Sequence, residues 1–137
     1  MMLTAVGLMS GTSLDGVDVA LIETDGKRVK AFGPSGYRPY TETERRVLMQ
    51  ALTEAVHLPQ RDARPGILGE AERVVTVAHA EAVASFTAHN HIAFEDIDIV
   101  GFHGQTVLHR PAERMTVQIG DAAALAKAIH ILSLIHI

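Results

Sequence analysis

The most informative part of the sequence is residues 7–18, which read Gly-Leu-Met-Ser-Gly-Thr-Ser-Leu-Asp-Gly-Val-Asp. Two short apolar runs, 3–9 and 17–22, flank its cluster of Gly, Ser, Thr and Asp. Runs of this length around such a cluster predict two strands joined by a turn. Glycine leaves the backbone N–H groups of the turn unshielded, and Thr12 and Ser13 add hydroxyl donors. We therefore interpret the turn as a loop that can wrap phosphate oxygens.

The spacing within this loop excludes a P-loop. Gly11 and Gly16 match the two glycines of that motif, but Val17 and Asp18 stand where it needs Lys and Ser or Thr. Carboxylates beside phosphates repel them unless a divalent cation lies between the two. Asp15 and Asp18 therefore indicate Mg²⁺, which prefers hard oxygen ligands. The alternative reading of the pattern is a β-hairpin whose Asp-Gly pair only makes the turn.

Length and composition limit the class of protein. The chain has 137 residues, of which 47% are hydrophobic and 20% charged, and this predicts one globular domain with a real core. Its net charge of −4 argues against nucleic acid and anionic membranes as partners. The sequence has no cysteine, which excludes a disulfide framework and a thiol nucleophile. We expect a cytoplasmic protein without a secretory leader or a membrane span.

The first third of the chain has the pattern of a small antiparallel sheet. The apolar alternation of 17–22 predicts a strand with Val17, Val19 and Leu21 on one face. A tight turn at 24–27 then leads to a third strand at 29–32. The Gly- and Pro-containing stretch 33–39 is expected to be irregular.

Two helices are expected to follow. Thr41 and Glu44 form a capping box at the start of the first, which should end by Leu58 because Pro59 disfavours helical backbone in the preceding residue. The second is predicted from about Ile67 to about His89, since apolar residues recur there every three or four positions. Its apolar stripe consists of Leu68, Ala71, Val75, Ala78, Ala82 and Phe86.

Three histidines near the second helix invite a metal-site interpretation. His79 and His89 lie ten positions apart, however, which does not place them on one helix face. We therefore predict that His79, His89 and His91 occupy surface or helix-end positions.

A second candidate site block follows a predicted strand at 97–100. It reads Gly-Phe-His-Gly-Gln-Thr at 101–106, and the carboxyl end of a strand is where α/β folds place ligand-facing groups. His103, Gln105 and Thr106 offer directional hydrogen bonds that suit a polyhydroxylated, amide-bearing sugar. The alternative is a polar turn with one satisfied histidine. A further strand at 115–119 leads to Asp121, which the pattern makes an N-cap of a helix at 122–128.

Residues 9–18, Met-Ser-Gly-Thr-Ser-Leu-Asp-Gly-Val-Asp, resemble the nucleotide-binding signature of the anhydro-N-acetylmuramic acid kinases. The blocks at 102–111 and 116–121 are also similar to that family, and the resemblance extends from Val6 to about Ile131. It implies an α/β fold, namely a ribonuclease-H-like (actin-like ATPase) domain with a mixed sheet and flanking helices, incomplete at the C-terminus.

The resemblance also implies an activity. An ATP-dependent kinase of this family hydrolytically opens the 1,6-anhydro ring of anhydro-N-acetylmuramic acid and phosphorylates the sugar, in the recycling of peptidoglycan. Such a kinase needs ATP and Mg²⁺. The resemblance also allows a homodimer of the intact protein. The implied ATP-binding residues are Gly11, Thr12, Ser13, Leu14, Asp15, Gly16, Val17 and Asp18, with Mg²⁺ held by Asp15 and Asp18 through water. The implied sugar-binding residues are His103, Gln105, Thr106 and Asp121. The family's general-base aspartate is expected beyond the end of this chain.

The C-terminal residues 132–137, Leu-Ser-Leu-Ile-His-Ile, do not resemble the family. They match what is expected from translating a transposon end used in sequencing libraries. We therefore predict that 1–131 form the N-terminal, nucleotide-binding half of a two-domain kinase, that 132–137 are a non-native tail, and that the second domain is absent. Such a chain should be inactive by itself. The alternatives are a different sugar kinase of the superfamily and a non-catalytic nucleotide-binding remnant.

Overall fold

The computed structural model describes residues 1–130 and the backbone of 134–136. These residues form a mixed β-sheet and three α-helices. The strands are β1 (Leu3–Ser10), β2 (Gly16–Thr24), β3 (Val29–Pro39), β4 (Ile99–Arg110), β5 (Met115–Ile119) and β6 (Leu134–His136). The helices are α1 (Glu42–Ala55), α2 (Leu68–His89) and α3 (Ala122–Ile129).

The sheet has the order β3-β2-β1-β4-β5, and β6 also pairs with β4. The first three strands form an antiparallel meander, whereas β1 and β4 are parallel. β5 folds back antiparallel on the second half of β4, and β6 runs parallel to its first half. Parallel strands need a crossover connection, which α1 and α2 supply between β3 and β4. The predicted α/β class with a mixed sheet is confirmed.

One face of the sheet is buried under the helices. Along β1 and β2, the side chains of Val6, Leu8, Val17 and Val19 are buried, while those that alternate with them are exposed. We call the exposed side of the central strands the open face; it carries Gly7, Met9, Asp18 and Ala20. The helix α2 contacts β2, β3, β4 and β5, and its predicted apolar stripe is entirely buried. This period-two burial is what orients the site described below.

The predicted helix boundaries agree with the structure. Thr41 accepts a hydrogen bond from the backbone of Glu44, whose carboxylate accepts one from the Thr41 N–H, so the capping box is complete. Glu44 also forms a bidentate ion pair with Arg38 on β3, and Arg38 reaches Glu81 on α2 at 2.8 Å. The Arg38 guanidinium lowers the pKa of Glu44. These charge-assisted bonds join β3, α1 and α2.

The irregular segment predicted at 33–39 is wrong, because β3 continues to Pro39. The pairing of β2 with β3 skips from Ile22–Phe32 to Ala20–Ser35, which leaves Gly33 and Pro34 outside the ladder. β3 is an edge strand, where a proline without an N–H is tolerated at such an irregularity. Gly33 and Pro34 therefore interrupt the alternating sequence pattern and the pairing with β2, but they do not end the strand.

The strand predicted at 97–100 is also longer than expected. β4 begins at Ile99 and continues through the Gly-Phe-His-Gly-Gln-Thr block to Arg110. The block therefore lies in the middle of a strand, although it does lie beside the carboxyl end of β1. Its continuation has a physical reason: β5 takes over the hydrogen bonding of β4 from Gln105 onward.

The predicted surface position of His79 is wrong, whereas His89 and His91 are exposed as predicted. His79 is fully buried, with its ring edge against Phe102 at 4.9 Å between centroids. Its Nδ1 lies 2.6 Å from the Val75 carbonyl oxygen, and its Nε2 has no hydrogen-bond partner among the described residues. Burial lowers the pKa of His79 from its ordinary 6.5 to about 4.

Among the described residues, no helix is long and apolar enough to cross a membrane. The predicted non-native tail, 132–137, lies outside the described residues except for the backbone of 134–136.

The burial of His79 predicts a stability that depends on pH. Between pH 6.5 and 4 the unfolded chain binds a proton at His79 and the folded chain does not, so stability falls as the pH is lowered through this window. The loss should approach about 1.4 kcal/mol per pH unit. Urea unfolding of His79→Leu should lack this contribution, while His89→Gln, a change on the exposed side of α2, should keep the wild-type profile. Identical pH profiles for the wild type and His79→Leu would contradict the assignment.

Candidate functional site

The loop between β1 and β2 is anchored to the core by one buried side chain, and its other side is exposed. Leu14 has a left-handed backbone with φ of 57°, and its side chain is only 3% exposed. A non-glycine residue in this region is uncommon, and here the burial of the leucine side chain offsets the backbone cost. The Leu14 N–H donates to the Gly11 carbonyl at 3.1 Å and closes the turn. Thr12 and Ser13, between the two, are exposed.

The eight predicted ATP-binding residues divide into two groups. Buried positions support the loop, and exposed or half-buried positions are open to a ligand. The buried ones are Leu14, Gly16 and Val17; the others are Gly11, Thr12, Ser13, Asp15 and Asp18. The alternation follows from the strand period, since Val17 points into the helix side of β2 and Asp18 to the open face.

The two carboxylates predicted to hold Mg²⁺ are exposed, and among the described residues neither forms a hydrogen bond or an ion pair through its side chain. In the described part of the chain, no group of three or more His, Asp or Glu side chains is arranged as a metal site. A cation at Asp15 and Asp18 would therefore need water and phosphate oxygens to complete its coordination. Mg²⁺ usually keeps several waters and binds through one or two carboxylates plus phosphate, so this donor set fits it.

The base of the loop contains a buried polar cluster of Ser10, Tyr40 and Gln105. The Ser10 and Tyr40 hydroxyl oxygens are 2.8 Å apart, and the Ser10 hydroxyl donates to the Gln105 side-chain oxygen. The Gln105 amide nitrogen donates to the carbonyls of Gly11 and Thr106, each at 3.2 Å. Ser10 and Gln105 are at most 2% exposed and Tyr40 is 8% exposed. The cluster connects the loop directly to β4.

An extra residue in β4 determines which side chains reach this cluster. Leu8 pairs with Phe102, but Ser10 pairs with Gln105, so β4 has three steps where β1 has two. The irregularity falls next to Gly104, whose φ of 76° suits glycine. Because side chains alternate, the insertion turns Gln105 to the same side as Phe102, under the helices. His103 points to the opposite side, toward the open face.

His103 meets a residue that the sequence did not single out. Its Nε2 lies 2.8 Å from the side-chain nitrogen of Gln118 on β5, and Gln118 pairs with Thr106 in the sheet. All three side chains are half-buried. The alternation of 115–119 could have placed Gln118 opposite the apolar side of β5, but the contact with His103 depends on the register between β4 and β5.

Asp121, the fourth predicted sugar-binding residue, lies apart from these side chains. It is the N-cap of α3, and its carboxylate accepts a hydrogen bond from the Ala124 N–H at 3.0 Å. Its own N–H donates to the Thr76 hydroxyl on α2 at 2.9 Å. The predicted capping role is confirmed. The structure thus brings the loop, Asp18, His103 and Thr106 to one end of the sheet and leaves Asp121 on the helix side.

The strand order β3-β2-β1-β4-β5, with β1 parallel to β4 and the open loop on the first hairpin, agrees with the α/β, ribonuclease-H-like (actin-like ATPase) class expected from the sequence. A comparison with protein families identifies the group within that class. The family model of anhydro-N-acetylmuramic acid kinase matches residues 3–135. The chain belongs to the anhydro-N-acetylmuramic acid kinase family.

Relatives that bear the same name are closely similar over most of this chain. The anhydro-N-acetylmuramic acid kinase of Bradyrhizobium diazoefficiens is 80% identical over 131 residues, which cover 96% of this chain and 36% of the relative. A Rhodopseudomonas palustris relative is 76% identical over the same shares. That of Agrobacterium fabrum is 57% identical, over 90% of this chain and 33% of the relative. The chain thus spans about a third of the length of the relatives it matches.

The two glycines that bound the loop should respond differently to alanine. A Cβ at Gly16 would lie 2.5 Å from the Arg38 carbonyl oxygen, whereas a Cβ at Gly11 would have no atom within 4 Å. Backbone would have to move for Gly16→Ala, so we expect a loss of about 1–3 kcal/mol of unfolding free energy. Gly11→Ala should stay within about 0.5 kcal/mol of the wild type. Urea unfolding measures both, and equal losses for the two variants would contradict the packing described.

Proposed function

We propose that this chain is the nucleotide-binding, N-terminal half of an ATP-dependent kinase, with residues 1–131 as that half. The complete enzyme would hydrolyse the 1,6-anhydro ring of anhydro-N-acetylmuramic acid and phosphorylate the sugar to N-acetylmuramic acid 6-phosphate, in peptidoglycan recycling. The observation that carries the proposal is the open loop at 11–15, with exposed hydroxyls and with the carboxylates of Asp15 and Asp18, which have no side-chain partner in the part of the chain that the structure describes. Membership of the kinase family supports it.

The loop offers the donors that a phosphate chain requires. Backbone N–H groups around Gly11, together with the exposed hydroxyls of Thr12 and Ser13, would bind phosphate oxygens. Leu14 would keep the turn fixed from the core side, which avoids an ordering cost on binding. A hydrated Mg²⁺ held by Asp15 and Asp18 would neutralise charge on the phosphates during in-line transfer.

The sugar would lie toward the open face, near His103 and Thr106. Both are half-buried, and Gln118 holds the imidazole of His103 in place. Gln105 and Asp121 stay predictions as sugar ligands; each has a structural role in this chain, the first under the loop and the second at the start of α3. A homodimer is compatible with the intact protein.

This chain alone should bind nucleotide without transferring phosphate. Ring opening needs a general base to activate water while the 6-oxygen accepts the γ-phosphoryl group, and the base is predicted outside residues 1–137. Phosphoryl transfer depends on positioning both substrates in line. The loop and the His103 region supply one side of such a site.

The carboxylates give a test whose direction depends on the metal. With Mg²⁺ present, Asp15→Asn and Asp18→Asn should each weaken ATP binding to the chain by about tenfold, a typical cost of losing a charge-assisted contact. With EDTA, the same variants should bind ATP as well as the wild type or better, because a negative charge near the phosphates has been removed. Isothermal titration calorimetry measures both conditions.

Asp62→Asn is the matched control, because Asp62 is an exposed carboxylate in the connection between α1 and α2. It should leave ATP binding unchanged with and without Mg²⁺. Equal losses for Asp15→Asn in the two conditions would argue against a metal-linked role. A wild-type chain that binds no ATP in either condition would overturn the proposal that this half carries the nucleotide site.

A further inference from the structure

Tyr40 holds both ends of the loop at 11–15. Its backbone N–H donates to the Asp15 carbonyl at 2.8 Å, where the loop ends. Its hydroxyl lies 2.8 Å from the hydroxyl of Ser10, the residue before the loop begins. Tyr40 itself sits between β3 and the N-cap of α1, so it is fixed by elements outside the loop. One buried residue therefore holds both ends of the loop, one through its backbone N–H and the other through its side-chain hydroxyl.

The hydrogen bonds of the cluster run in one direction. The Ser10 hydroxyl donates to the Gln105 oxygen, so it has no proton left for Tyr40 and must accept from the Tyr40 O–H. Burial raises the pKa of Tyr40, which keeps the phenol protonated as this donor role requires. The series of hydrogen bonds continues from the Gln105 side-chain amide to the Gly11 carbonyl and so returns to the loop.

This arrangement leaves the Gln105 side chain no donor for a ligand. Both of its N–H bonds are used, toward Gly11 and Thr106, and the residue is fully buried. Gln105 can still influence a ligand through the peptide bond it holds. The Gly11 carbonyl accepts from Gln105 and from the Leu14 N–H, so it points into the fold.

The orientation of the Gly11 carbonyl determines the direction of the Thr12 N–H, which belongs to the same peptide group. In a planar trans peptide the C=O and the following N–H point in opposite directions. With the Gly11 carbonyl turned inward, the Thr12 N–H is turned outward, to the exposed side of the loop. A peptide flip at this position would replace a donor with a carbonyl oxygen, which repels phosphate.

We propose that Tyr40 is a positioning residue of the nucleotide site: through Ser10 and Gln105 it fixes the Gly11–Thr12 peptide with its N–H toward the phosphates. This inference deepens the proposed function and rests on it. Tyr40 touches no nucleotide in this scheme and acts only through the loop. In this scheme Gln105, in the block expected to contact sugar, acts beneath the loop, on the helix side of the sheet.

The first test observes the loop without a ligand. In ¹⁵N NMR spectra of the whole 137-residue chain, Tyr40→Phe should shift the Gln105 side-chain amide resonances and the Thr12 backbone amide. The protection of Leu14 N–H from hydrogen exchange should fall by about fivefold, as expected for weakening one neutral hydrogen bond. Amides in the middle of α2 should keep wild-type protection, which excludes a general loss of stability.

Tyr37→Phe is the matched control. Tyr37 lies in β3, three positions before Tyr40, and is 53% exposed, and its hydroxyl has no hydrogen bond among the described residues. It should change none of these signals. Ser10→Ala removes the next hydroxyl in the series of hydrogen bonds that starts at Tyr40, so it should reproduce the Tyr40→Phe spectrum. The double variant Tyr40→Phe/Ser10→Ala should differ little from Ser10→Ala alone, because the effects of substitutions within one hydrogen-bond network are not additive.

The second test measures MgATP affinity of the same variants by titration. Tyr40→Phe and Ser10→Ala should weaken binding by about fivefold, and Tyr37→Phe should not. Wild-type affinity in Tyr40→Phe, or unchanged Gln105 and Thr12 resonances, would overturn the positioning role. Absence of ATP binding by the wild type would instead overturn the proposed nucleotide site, and the NMR result would still show whether Tyr40 fixes the loop.

Discussion

The site depends on the parallel pairing of β1 with β4 and on the extra residue that β4 contains at Gly104. The pairing brings Gly11 and Gln105 together although they are 94 positions apart in the chain. The extra residue then turns Gln105 under the loop and His103 to the other side. Without it, strand alternation would place both side chains on the same face. A one-residue irregularity therefore separates the group that supports the loop from the group that can meet a ligand.

The polar cluster beneath the loop is stable only because it is complete. Gln105 is fully buried, and its oxygen and both N–H bonds are satisfied by Ser10, Gly11 and Thr106. An unpaired buried amide would cost about 1–3 kcal/mol, whereas each completed bond contributes less. The cluster therefore adds more to the uniqueness of the loop conformation than to the total stability. The apolar layer between α2 and the sheet supplies the stability that permits it.

Local patterns were enough to predict much of this fold. The capping box of α1, the apolar stripe of α2 and the first hairpin each follow from neighbouring residues, and all three are confirmed.

The errors arise where distant pairing overrides local signals. β3 continues past Gly33-Pro34 because β2 pairs with it on both sides of that irregularity. β4 continues past Gly101 because β1 pairs with it as far as Gln105 and β5 pairs with it from Gln105 onward. Tyr40 carried no sequence signal, since its importance depends on three elements that meet only in the fold. His79 was misjudged because spacing alone does not say which histidine lies under Phe102.

The residues of the candidate site differ in burial in a way that separates two kinds of effect. Ser10, Leu14 and Gln105 are buried on the helix side, so changes there alter the loop through packing and hydrogen bonds. Thr12, Ser13, Asp15 and Asp18 are exposed, so changes there alter little of the fold and mainly the groups offered to a ligand. Loop residues that bind are commonly held by a rigid scaffold in this way. The resemblance in sequence covers both sets equally and cannot distinguish them. The distinction comes from the alternation of β1 and β2 and from the insertion in β4, because these determine which side of the sheet each residue occupies.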